Sequence, residues 1–119
     1  MTGDMARITS VGHVGIHARD LARLVSFYRD VVGLKQILHI PNVVGIFAVG
    51  DADFFISHGE ARAAAFDFAA ADVDGVRAQL VAAKVECTEP RDDSVTGHRS
   101  FTFTDREGNR IAVVSAHKR

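Results

Sequence analysis

An internal duplication most constrains what this chain can fold into. An alternating strand closing on an aspartate, a helix and further strands begin near Gly12, and the same order begins again near Ala64. The two aspartates that open the helices, Asp20 and Asp72, stand 52 positions apart (72 minus 20). Each half alone would leave an apolar sheet face uncovered, so the halves are expected to pair within one domain.

In the first copy, Ile8 to Ala18 alternates as a strand, with His13, Gly15 and His17 on one face and Val14 and Ile16 on the other. Asp20 is placed to cap a helix whose apolar stripe is Leu21, Leu24, Val25, Tyr28, Val31 and Val32, and Gly33 supplies its stop. Strands at Lys35 to Ile40, Val43 to Val49 and Asp53 to His58 follow, separated by Pro41-Asn42 and Gly50-Asp51.

In the second copy, Ala64 to Ala69 reads as a strand and Asp72 or Asp74 as a cap. Val73, Val76, Leu80 and Val81 form a helical stripe that ends at Lys84. Val85 to Thr88 begins a strand, and Glu89 to Gly97 is a polar loop. Arg99 to Thr104 and Arg110 to Ser115 flank a turn containing Gly108-Asn109, a hairpin signal. The expected fold is α+β: two tandem βαβββ modules, about 8–60 and 63–116, within one domain over 1–119.

The chain has 119 residues, 47% of them hydrophobic and 24% charged, enough for one core without staples. Fourteen basic residues against fifteen acidic ones give no electrostatic footprint for nucleic acid or anionic lipid. Cys87 is the one cysteine, which excludes an intrachain disulfide and points to a reducing compartment. Met1 to Arg7 lack the apolar stretch of a secretory signal, and no run approaches the ~18 apolar residues of a membrane span. A soluble cytoplasmic protein is expected.

The stretch Gly12-His13-Val14-Gly15-Ile16-His17-Ala18-Arg19-Asp20-Leu21, followed by Ser26-Phe27-Tyr28-Arg29-Asp30-Val31-Val32-Gly33-Leu34, resembles the opening of the vicinal oxygen chelate superfamily. That group includes glyoxalase I, extradiol dioxygenases, methylmalonyl-CoA epimerase, fosfomycin resistance enzymes and bleomycin resistance proteins. Gly97 to Ile111 resembles its last hairpin, with Arg106 where a proline is common. The resemblance implies a curled, cup-shaped mixed sheet and a homodimer, with the cup within one chain or across two. It also implies a divalent metal held by the first and last strands of each module, with open positions for two substrate oxygens.

Carried onto this chain, those four positions fall at His13, Ala65, Phe55 and Ala112. Only His13 has a side chain that ligates metals, and one neutral imidazole does not hold a divalent ion against water. No cofactor is therefore expected. The resemblance then implies a cup for a small organic molecule, aromatic or multi-ring, as in the metal-free bleomycin resistance branch, serving resistance or sequestration.

Several residues remain candidates for chemistry. His13, His17 and Asp67 would give a metal-free acid–base set, or relocated metal ligands, if the repeat offset held in space. A lyase, isomerase or dioxygenase would follow. Phe55 can stack on a bound ring, and Arg99 or Arg110 can bind an acidic group through the guanidinium fork. For Arg99 and Arg110 a surface or inter-subunit ion pair is the competing role. A third possibility is a structural or regulatory domain whose cup its own phenylalanines fill. His39, His58 and His98 are assigned no chemistry.

Overall fold

A computed structural model of the protein describes Ala6, residues 13–60 and residues 66–115. Module one runs β1 (His13–Ala18), α1 (Leu21–Phe27), a π-helical turn (Tyr28–Val32), β2 (Lys35–Ile40), β3 (Val44–Val49) and β4 (Ala52–His58). Module two runs β5 (Asp67–Ala70), α2 (Val73–Ala82), β6 (Glu86–Cys87), β7 (Arg91–Asp92), β8 (Arg99–Thr104) and β9 (Arg110–Ser115). The expected strand residues 8–12, 64 and 65, and with them Gly12 and Ala65, lie outside the described residues.

The two modules share one topology. In the first sheet the order is β1-β4-β3-β2, and in the second it is β5-β9-β8-β6 with β7 also pairing β8. The opening strand of each module runs parallel to its closing strand, and the other pairings are antiparallel. Gly15 pairs with Phe55 in the first sheet and Asp67 with Ala112 in the second.

The aspartate repeat reflects helix capping. Asp20 accepts a hydrogen bond from the Arg23 backbone N–H at 3.2 Å, and Asp72 accepts one from Gly75 at 2.9 Å. Each bond satisfies an N–H that would otherwise have no partner in the first helical turn. Asp72 is thus the cap of α2, and Asp74 lies inside its first turn. Both helices are followed by a left-handed residue, Gly33 at φ 86° and Lys84 at φ 64°.

One hydrophobic cluster spans both modules. α1 and the π turn bury Leu21, Leu24, Val25, Phe27 and Tyr28 against Ile16, Phe47, Phe54 and Ile56. Val25 approaches β3 so closely that a Cβ on Gly45 would sit 2.5 Å from its Cγ2, so the glycine permits the helix to dock. From module two the cluster receives Val73, Leu80, Phe101, Phe103, Ile111 and Val113. The Phe54 ring meets Phe68 edge-on at 5.3 Å, which joins the core-facing sides of the two sheets. Each sheet therefore turns its other face away from the shared core.

Two expectations differ from the structure. Val81, assigned to the buried stripe of the second helix, is 46% exposed, whereas Leu80 beside it is fully buried. Two helical turns from Val73 arrive between positions 80 and 81, and packing selects Leu80. The polar loop after Glu89 contains the short strand β7, with Pro90 separating it from β6. Proline cannot donate a ladder hydrogen bond, so the outer strand breaks into two pieces along β8.

Candidate functional site

The outward face of the first sheet collects the residues singled out in module one. His13, Gly15 and His17 pair with Asp53, Phe55 and Ser57 of β4. These in turn pair with Ala48, Ile46 and Val44 of β3, and Leu38 and Ile40 of β2 extend the same row. Directly paired residues share a sheet face, so an aromatic and aliphatic floor forms beside two imidazoles and one carboxylate. Leu38 and Ile40 are exposed on it.

At one end of that floor the His13 and Phe55 rings lie 4.9 Å apart, tilted by 54°. His13 Nε2 is 3.8 Å from Asp53 Oδ2, an ion pair when the imidazole is protonated. Gly15 contributes no side chain between them. A Cβ there would lie 3.2 Å from the Phe55 carbonyl oxygen and 3.4 Å from its Cβ. The chain thus leaves this end of the floor open over Phe55.

His17 is half-buried farther along β1. Its ring packs against Gly59, and its backbone carbonyl accepts from Asn109 Nδ2 at 3.2 Å. Asp67 is exposed on the second sheet, where it lines a cleft with Val14, Phe66 and Phe68. Val14 belongs to the face of β1 opposite His13. Within one chain, therefore, the structure joins His13 to Asp53 and Phe55 and places Asp67 elsewhere. No hydrogen bond or ion pair among the described residues links Asp67 to either imidazole.

The corresponding face of module two carries Asp67, Ala112 and Thr102 in one row, with Arg110 paired to Thr104 beside it. Arg110 is exposed and makes no ion pair among the described residues. Arg99 is held by two carboxylates. Its guanidinium donates to Asp74 at 3.0 and 3.1 Å and to Asp92 at 3.2 and 3.1 Å, tying the start of α2 to β7. These two carboxylates hold Arg99 above the usual guanidinium range.

Phe55 and Ala112 offer no ligating atom, and among the described residues no three histidine, cysteine, aspartate or glutamate side chains are placed to hold an ion. The lone thiol, Cys87, is raised by burial, which disfavours the thiolate needed for nucleophilic work. Asp53 was not anticipated as a neighbour of His13, because their approach depends on the parallel β1–β4 register and not on sequence spacing.

Several solved structures share this architecture. Lactoylglutathione lyase from Agrobacterium tumefaciens superposes with a TM-score of 0.82 at 22% identity, over 93% of this chain and 96% of that one. TnmS3, an antibiotic binding protein from Streptomyces sp. CB03234, gives 0.77 at 19% identity, over 95% and 100%. The fosfomycin resistance protein FosX from Listeria monocytogenes gives 0.76 at 17% identity, over 93% and 94%. At these identities the likeness establishes the fold. A search of curated protein sequences gave no match. A family profile described as the Glyoxalase/Bleomycin resistance protein/Dioxygenase superfamily matches residues 10–113, nearly the whole chain, and the protein belongs to that superfamily.

Proposed function

We propose that the protein binds a small organic molecule, aromatic or multi-ring, without a metal, in a resistance or sequestration role. The observation that carries this reading is the packing of Phe55 against His13, a ring where a metal-dependent member would present a donor. An apolar floor of Ile46, Leu38 and Ile40 continues from that ring and suits a flat, hydrophobic ligand. TnmS3, of the same fold, is an antibiotic binding protein.

The two outward faces look away from the shared core, so one chain supplies two half-cups. We propose a homodimer in which the second-module face of one copy, with Ala112 and Arg110, closes over the His13–Phe55 face of the other. Arg110 is then the cation available to an acidic group on the ligand, whereas Arg99 remains committed to Asp74 and Asp92. Each chain acts as one two-module domain, and the lone Cys87 suits a reducing cytoplasm.

Native mass spectrometry of the purified protein, with elemental analysis of the same sample, tests the reading. A dimer carrying an organic adduct and substoichiometric metal is expected. Near-stoichiometric tightly bound metal would overturn it. The placement of Asp53 beside His13 favours one competing reading, acid–base catalysis by a lyase or isomerase centred on His13. In that case His13→Ala abolishes turnover while leaving the fold intact.

A further inference from the structure

The chain contains a cleft of about 560 Å³ at the junction of its modules. Val14 of β1 and Val49, Gly50 and Ala52 at the β3–β4 turn form one wall. Phe66, Asp67, Phe68 and Ala69 form the other. Its volume falls in the range of pockets that take small organic ligands.

The wall chemistry specifies the ligand. Among the described residues Asp67 is the only ionisable side chain lining the cleft, and it makes no hydrogen bond or ion pair with any of them. The other described lining residues are aliphatic, aromatic or glycine. Phe66 and Phe68 meet edge to face, with centroids 5.4 Å apart and planes at 84°, so their rings are held in one arrangement. A carboxylate on an aromatic rim attracts a positive charge by direct pairing, and the negative ring faces add to that attraction. An anion would meet the carboxylate with no compensating cation among the described lining residues.

We propose that this cleft is a second binding site, taking a small amphiphilic organic cation such as an arylalkylamine. The apolar body lies against Val14, Phe66 and Phe68, and the ammonium group meets Asp67. Val14 and His13 are on opposite faces of β1, so the apolar part of this site is separate from the His13–Phe55 face, whereas Asp67 also borders the second-module face that carries Ala112.

The test is titration of the full chain with 2-phenylethylammonium, phenylacetate and 2-phenylethanol, followed by calorimetry and by chemical-shift changes. Saturable binding of the ammonium compound is expected, at least threefold tighter than the alcohol, with phenylacetate weakest. Asp67→Asn should bring the ammonium compound down to the alcohol. Ala69→Lys, at an exposed position of β5, should weaken it further by supplying an internal cation. Phe55→Ala should leave it unchanged. Equal affinity for all three probes, or ammonium binding that survives Asp67→Asn, would overturn the proposal. So would loss of binding on Phe55→Ala, since the probe would then occupy the cup.

Discussion

Tyr28 Oη donates a 2.8 Å hydrogen bond to Asp105 Oδ2 in the buried seam between the modules. The bond ties the helical end of module one to the hairpin turn of module two. Asp105 Oδ1 also accepts from the backbone N–H groups of Glu107 and Asn109, each at 2.9 Å. Asn109 Nδ2 donates to Asp105 Oδ2 at 3.0 Å and reaches the His17 carbonyl of β1 at 3.2 Å. One turn thereby holds two elements of the other module. Tyr28→Phe removes the donor and leaves a buried carboxylate oxygen with one partner fewer. A loss of about 1–3 kcal/mol is expected, measured by urea unfolding with an unchanged m-value.

The same bond makes stability depend on alkaline pH. Burial, and then the neighbouring Asp105 charge, raise the Tyr28 phenol well above its usual value of 10.0. In the unfolded chain the phenol ionises near its ordinary value, while the folded state keeps its proton. Above that pH the unfolded state binds fewer protons, so stability falls as pH rises until the folded phenol also ionises. Unfolding midpoints measured from pH 8 to 11 should decline above about pH 10. Much of that decline should be missing in Tyr28→Phe. Equal slopes in the two proteins would assign the effect to other groups.

Helix termination differs between the copies, and the difference is open to experiment. Gly33 and Lys84 both adopt left-handed backbone, but only glycine does so without a steric penalty. A non-glycine residue there costs roughly 1–2 kcal/mol, partly offset by glycine's greater freedom in the unfolded chain. Lys84→Gly should therefore stabilise the protein by about 0.5–1 kcal/mol. The reciprocal change, Gly33→Ala, should destabilise it. Thermal denaturation of the two variants beside the parent chain checks both signs.

Most of the architecture could be read from the sequence because turn chemistry brackets the strands. Lys35–Ile40, Arg99–Thr104 and Arg110–Ser115 begin and end where the expected strands do. Asp20 and Asp72 announce both helices because capping depends on local backbone geometry. The site was less legible. The approach of His13 to Asp53 is set by a parallel pairing across forty residues, and no local pattern encodes it. Asp67 occupies the position expected from the repeat, but the modules share their inner faces, so it lines a cleft with Val14 and makes no bond to the histidines among the described residues. β7 is two residues long, too short for alternation to register.

Phe55 is half-buried on the outward face, so it can be truncated with limited damage to the core. Phe55→Ala should weaken retention of a co-purifying aromatic ligand at least tenfold while shifting the thermal midpoint by only a few degrees. Gel filtration followed by mass spectrometry of the extracted small molecules measures the first quantity, and calorimetry the second. Ligand retained in full by a folded variant would remove Phe55 from the site.

Donor atoms can be returned to the cup by substitution. Phe55→Glu puts a carboxylate on β4 beside His13, and Ala112→Glu puts another on the matching strand of module two. In one chain these carboxylates are on outward faces that point apart, so Phe55→Glu alone gives His13 one partner. A dimer with the proposed arrangement would combine His13 and the first carboxylate from one copy with the second carboxylate from the other. Three such ligands suit zinc, leaving a position open to water. The double variant should bind zinc at least tenfold more tightly than either single variant, with one ion per half-cup pair, and the metal should favour the dimer. Titration calorimetry with sedimentation velocity measures both effects. If the double variant binds zinc no better than Phe55→Glu alone, the two faces do not meet and the shared cup is wrong.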